Sequence, residues 1–201
     1  MQMEKKYEIL KGDTINVFDK TLYRIRALKD FGGVKAGELG GYIEKEENLS
    51  HLGNAWIGGD AQIGGDAQIG GNARIDGNAW IGGDAQIGGD AQIGGNARID
   101  GDAQIGGDDD YIGVKGLGSV NRTTSFFRCK ENGIKVTCGC FYGTLAEFVG
   151  KVKSTHGDNK YAAEYLAAVE TVKIHFGIKK GAEQHNASTK NNTADNSTAQ
   201  A

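Results

Sequence analysis

The sequence contains no proline, only two methionines and three cysteines in 201 residues. Without proline, no chain reversal can rest on a fixed φ, so turns must fall to glycine, asparagine and aspartate. Three cysteines, Cys129, Cys138 and Cys140, are an odd number and cannot all pair with one another. They are expected as free thiols in a reducing compartment. No run approaches the roughly 18 apolar residues that span a bilayer, so no membrane association is expected. The opening MQMEKKYEILKGD has charges but no apolar stretch behind them, unlike a secretory leader. A cytoplasmic location is the default expectation. Cationic charge is scarce in the middle of the chain, where residues 51–110 hold two arginines against ten aspartates. The acidic middle therefore argues against nucleic acid as a ligand there, because phosphate binding requires cationic neutralisation. The segment from 111 onward is net basic, but its lysines are scattered and read as a solvated surface.

Glycine is abundant, with 33 residues, and most of it lies in one region. The 24 residues NAWIGGDAQIGGDAQIGGNARIDG at positions 54–77 recur letter for letter at 78–101. Isoleucine returns every six residues from Ile57 to Ile105, with alanine two positions earlier, from Ala55 to Ala103. An amphipathic helix would show spacings of three and four. A period of six with alanine at minus two fits short strands whose alternate side chains share a face, with glycine supplying each corner.

This pattern, I-[GD]-G-[DN]-A-[QRW], resembles the hexapeptide repeat of left-handed parallel β-helices, the trimeric LpxA-like superfamily. The resemblance implies triangular coils of three hexads each. Nine hexads then make about three coils, with isoleucine and alanine inside and a cap needed at each end. On that geometry 24 residues are one coil plus one face, so the second copy is turned by a third. The outward residues sort into columns of Trp56, Arg74 and Gln92, then Gln62, Trp80 and Arg98, then Gln68, Gln86 and Gln104. Each tryptophan thus has an arginine on the next rung, Trp56 with Arg74 and Trp80 with Arg98. These pairs suit a cation–π contact, and read either as a partner-binding patch or as simple surface packing. The glutamine column suits an amide ladder. Asp66, Asp84 and Asp102 form a further column, but a row at rung spacing does not make carboxylates converge on calcium.

Residues 1–50 read as an N-terminal β cap. YEIL, INVF and TLYRIRAL are short strands, with a turn at Asp19-Lys20. The elements RIRAL, DF, VKAG, GGYI and NLS between residues 24 and 50 resemble the corresponding segment of uncharacterised hexapeptide-repeat proteins of phage and prophage genomes, linked by name to acetyltransferases. Ile43 and Leu49, six apart, are expected to form a degenerate first rung.

Residues 51–107 are the β-helix, and 108–180 read as a small α+β domain, β-β-β-α-α. YIGVKGLG, TTSFFRCK and IKVTCGCF are its strands, with Asn132-Gly133 marking a hairpin. TLAE at Thr144–Glu147 is a capping box opening a helix to about Ser154. A second helix runs from about Lys160 to Phe176, with Ala162, Tyr165, Leu166, Val169, Val172 and Phe176 on its apolar side. This segment is also similar to C-terminal modules of other phage-encoded proteins, a likeness that implies no activity. Cys129, Cys138, Cys140 and His156 could be arranged as zinc ligands, but the spacing lacks the usual CxxC, and buried thiols are the plainer reading. Residues 181–201 have no aromatic or branched aliphatic residue and are expected to be disordered.

Three readings of function remain open. The resemblance implies an acyltransferase, with a histidine as general base and acetyl-CoA bound between subunits of a trimer. Of four histidines only His51 lies near the coils, and it reads equally as a surface residue of the capping turn. The sequence favours instead a non-enzymatic structural or interaction protein without a cofactor, whose rigid β-helix displays its flanking domains to a host or phage protein. A phage accessory protein that binds a host factor or small molecule to counter defence is the third.

Overall fold

A computed structural model describes residues 4–178. The reading of the tail at 181–201 lies outside the described residues. The fold is mainly β: a parallel solenoid of about four turns, an N-terminal hairpin sheet on one end, and a four-stranded sheet backed by two helices on the other.

Nine two-residue strands form the regular coils, β4 to β12: Trp56–Ile57, Gln62–Ile63, Gln68–Ile69, Arg74–Ile75, Trp80–Ile81, Gln86–Ile87, Gln92–Ile93, Arg98–Ile99 and Gln104–Ile105. Each of the first six pairs in parallel with the strand eighteen residues on, Trp56 with Arg74 and Arg74 with Gln92 on one face. The second face stacks Gln62, Trp80 and Arg98, and the third stacks Gln68, Gln86 and Gln104. The three columns read from the sequence are those of the structure. Every Ile and Ala of the nine hexads is buried, and full burial of each isoleucine contributes about 1.5–3 kcal/mol.

A further turn precedes the regular hexads, which is why the solenoid has about four turns rather than the expected three. Ile43 pairs with Ile63, and Leu49 bridges to Ile69. Both partners are twenty residues apart, not eighteen. The extra two residues lie between Leu49 and Ile57, where the chain bulges through Ser50–Asn54 and turns His51 onto Tyr7 of the N-terminal cap.

At each corner the second residue of the turn is a glycine, with φ from 55° to 72° between Gly59 and Gly101. A Cβ there would be strained, and it would also meet the corner of the next turn. At Gly77 it would come within 2.8 Å of the Gly95 carbonyl oxygen, whereas Gly95, with nearly the same φ, has open space above it. Gly95→Ala is therefore expected to cost only the left-handed backbone penalty, about 1–2 kcal/mol. Gly77→Ala should cost clearly more, and thermal unfolding of the two variants checks the difference.

The N-terminal cap is an antiparallel hairpin, β1 (Tyr7–Val17) and β2 (Lys20–Ala27), followed by β3 (Leu39–Ile43). YEIL and INVF are one strand interrupted by a bulge between Leu10 and Thr14. Val17 faces Lys20 across the turn, so the turn residues are Phe18 and Asp19, both at positive φ, and not Asp19-Lys20. That is the backbone of a tight two-residue hairpin. β3 runs parallel to β5, so the hairpin extends the sheet of the second face. Tyr7, Ile25, Ala27 and Val34 close the end of the solenoid core.

The C-terminal cap has four strands rather than three: β13 (Tyr111–Leu117), β14 (Arg122–Arg128), β15 (Ile134–Cys138) and β16 (Phe141–Thr144). CGCF does not continue one strand, because Gly139 turns at φ 61° and the chain reverses into β16. Thr144 then caps α1 (Leu145–His156), with Glu147 returning the capping box, and Asn159 caps α2 (Lys160–His175). β14 is buried on both sides. Phe127 plugs the solenoid core, while Phe126 packs with Phe148, Tyr165 and Val169 under the helices. The last turn also needs partners for its open edge. The Arg98 amide donates to the Ser125 hydroxyl at 3.2 Å, and the Thr137 hydroxyl donates to the Arg98 carbonyl. The Gln92 amide donates to Asp108 and that of Gly106 to Asp110, both at 2.9 Å. Among the described residues no helix is long and apolar enough to cross a membrane.

Candidate functional site

The two identical copies place their tryptophan and arginine in different surroundings. Trp56 is 3% exposed and lies edge-on to Phe31 beneath the N-terminal cap. No cation–π contact joins it to Arg74 among the described residues, so the expected pairing does not form there. The cap takes the place of the guanidinium. Trp80 is half-buried, and the Arg98 guanidinium lies 4.9 Å from its ring. The expected pair forms here, and it gains Phe18. That ring is 63% exposed, T-shaped to Trp80 at 5.6 Å, and 5.4 Å from the Arg98 guanidinium. Phe18 carried no signal in the sequence as a site residue, since an exposed phenylalanine at positive φ is an uncommon turn residue.

The third face is the floor of an open groove of about 1060 Å³. Gln68, Gln86 and Gln104 line it. Leu52 and His51 stand at one end, and Arg128 at the other, where it is paired with Asp110 at 2.9 Å. The side-chain ladder expected on the glutamines is found at corners instead, where Asn54 donates to Asn72 at 3.1 Å and Asn72 to Asp90 at 2.9 Å.

His51 borders this groove, but its ring is committed. Nδ1 accepts the Lys6 amide at 3.3 Å, which leaves the ring proton on Nε2, 2.8 Å from the Glu46 carboxylate. The imidazole also stacks on Tyr7 with centroids 4.3 Å apart. Lys5 and His51 hold the Glu46 carboxyl below the usual carboxylate range. Burial, with the Glu46 and Glu47 charges beside it, pushes the Tyr7 phenol up, and its hydroxyl donates to the carbonyls of Glu46 and Leu49 at 2.8 Å. A general base needs a free lone pair within reach of its acceptor, and here the backbone occupies it.

Lys6, 1% exposed, was not foreseen from the sequence. Its ammonium donates at 2.8 Å to the Ala55 carbonyl, on the open edge of the first regular turn. Burial, reinforced by the Arg74 and Lys29 charges, lowers its pKa from 10.5 to about 8. Between those values the unfolded chain holds a proton that the folded chain has released, so unfolding free energy rises with pH across that window. The stability difference between the intact chain and Lys6→Met is therefore expected to shift in favour of the intact chain from pH 7.5 to 9.5. Urea titrations at the two pH values measure it.

The cysteines do not share a face. Cys129 is buried, Cys138 is half-buried and accepts from the Thr124 hydroxyl at 3.2 Å, and Cys140 is exposed on the turn. Buried thiols therefore describe Cys129 but not Cys140. His156 stacks on Tyr165. In the aspartate column Asp66 is drawn to Lys45. Among the described residues no three metal-type ligands converge, in either the cysteine or the aspartate set. Neither a protein-family model nor a curated protein sequence matches this chain.

Proposed function

We propose that this chain is a non-enzymatic structural and interaction protein. Its hexapeptide solenoid, of the left-handed LpxA-like kind and of phage or prophage descent, holds two end modules at a fixed spacing around an open face. The observation that carries this reading is the continuous core. One cluster of buried side chains runs from Tyr7 and Val34 through every isoleucine of the nine hexads to Phe127, so both caps are fixed to the rod and move with it. Between them the glutamine face is left uncovered and framed by His51 and Arg128. A flat, uncharged strip bounded by rigid walls suits docking of a partner, whether further copies of the chain in a trimer or a host or phage protein.

The acyltransferase alternative draws support from the groove beside His51, long enough to lie along three rungs. The occupied Nδ1 of His51 weighs against it. An acyl-CoA hydrolysis and transfer assay on the intact chain and on His51→Ala separates the two readings. No turnover above buffer is expected from either protein. Turnover in the intact chain that His51→Ala abolishes would overturn the proposal. Light scattering on the same samples is expected to give a mass of three chains, and a single-chain mass at every concentration would remove the trimer.

A further inference from the structure

The cluster of Phe18, Trp80 and Arg98 closes a cleft of about 250 Å³ between the hairpin tip and the second face. Leu22 and Val17 line its upper wall, and Gly64, Gly82 and Asp100 follow its corner. Trp80 folds its indole across Gly82, where a Cβ would fall 2.3 Å from the ring. The aromatic wall therefore stands because that corner has no side chain.

Arg98 is held from three sides. Its backbone is fixed by Ser125 and Thr137 of the C-terminal cap. Its guanidinium lies against both Phe18 and Trp80, whose rings also touch each other. Aromatic contact uses the faces of a guanidinium and leaves the N–H donors in its plane free. Among the described residues those donors reach no acceptor, whereas Arg24, Arg26 and Arg128 are each engaged by a carboxylate. Asp100, in the same cleft, turns its Oδ1 to the Gly101 amide at 2.8 Å. An exposed cation with no carboxylate partner, beside two aromatic rings, suits a bidentate anion with an apolar body. The nearby Asp100, in a segment with ten aspartates, disfavours a second negative charge on that ligand.

We propose that this cleft binds a small aromatic carboxylate, its ring against Phe18 and Trp80 and its carboxylate on the Arg98 guanidinium. The proposal is independent of the interaction reading, because the cleft lies on the second face and the groove on the third. The duplication builds the site. In the first copy the equivalent Arg74 lies beside Trp56, which Phe31 and the cap cover. The same hexads thus provide an internal control.

Tryptophan fluorescence reports on it, since Trp56 is buried and Trp80 lines the cleft. Phenylacetate titrated into the full chain is expected to give a saturable change in emission. Phenylacetamide, of the same shape and uncharged, should bind at least about tenfold more weakly, as should phenylacetate to Arg98→Gln. Phe18→Ser, at an exposed hairpin tip, should weaken binding while the far-ultraviolet circular dichroism stays that of the folded chain. Arg74→Gln should bind as the intact chain does. A saturable change is required; its absence through the tens of millimolar overturns the proposal. So does equal binding of the amide, or equal loss in Arg74→Gln. Displacement of phenylacetate by inorganic phosphate at equal concentration would mark a general anion site and would likewise overturn it.

Discussion

Phe127→Ala is expected to destabilise the protein by about 3–5 kcal/mol, the cost of truncating a fully buried phenylalanine, and to open the solenoid at its C-terminal end. Phe127 has no exposed surface and belongs to the core that runs through the coils. Its neighbour Phe126 is equally buried but faces the other way, into the cluster beneath α1 and α2. Alternation along one strand thus divides two cores. The two truncations should cost similar amounts and fail in different places. Hydrogen exchange separates them: Phe127→Ala should accelerate exchange at the rungs of Arg98–Ile105, and Phe126→Ala at the helices. Phe127→Ala should also promote concentration-dependent association, because an uncovered last turn offers unpaired backbone groups to another chain. Identical exchange patterns in the two variants would mean that the C-terminal sheet and the solenoid unfold as one unit.

The coils were legible in the sequence because their physics is local and repeated. A period of six, alanine two before isoleucine, and glycine at each corner determine which side chains point inward and which stack. All three outward columns followed from that arithmetic. The first turn was legible only through Ile43 and Leu49, since its spacing of twenty breaks the period. What escaped was everything set by contacts distant in the chain. Trp56 and Trp80 occupy the same place in identical copies, yet one is roofed by Phe31 and the other clasped by Phe18. Lys6 is buried because the first turn leaves the Ala55 carbonyl without a coil before it. No local pattern announces a lysine in that role. The reversal at Gly139, which separates Cys138 from Cys140, was hidden because Val136–Phe141 alternates as a continuous strand would.

A third copy of the 24 residues, inserted between Gly101 and Asp102, is expected to fold with a melting temperature no lower than that of the intact chain. Both junctions would repeat sequences already present, since Gly77 is followed by Asn78 as Gly101 would be by the new asparagine. The N-terminal cap would meet residues 54–101 unchanged. The C-terminal cap would meet the same 24 residues before Asp102, including the arginine whose backbone binds Ser125 and Thr137. Only length and azimuth change: about 6 Å for one and a third turns at strand spacing, and a third of a rotation. Stability in a stacked array is close to a sum over units and their interfaces, so added rungs should not weaken it. Removing residues 78–101 is not the mirror image. The second face would then stack Tyr42, Gln62 and Gln104, and Phe18 would lose both Trp80 and Arg98. The C-terminal cap would swing from the third face to the second, where the hairpin tip already projects. That variant is expected to melt at a clearly lower temperature, and its one remaining tryptophan, Trp56, should emit as a buried indole. Circular dichroism melts and small-angle scattering on the three lengths test the set. A third copy that destabilised as much as the deletion would show that the copies are not interchangeable units. The expected asymmetry says instead that the second copy brings a tryptophan and an arginine beneath Phe18, which the first copy, one face earlier, cannot reach.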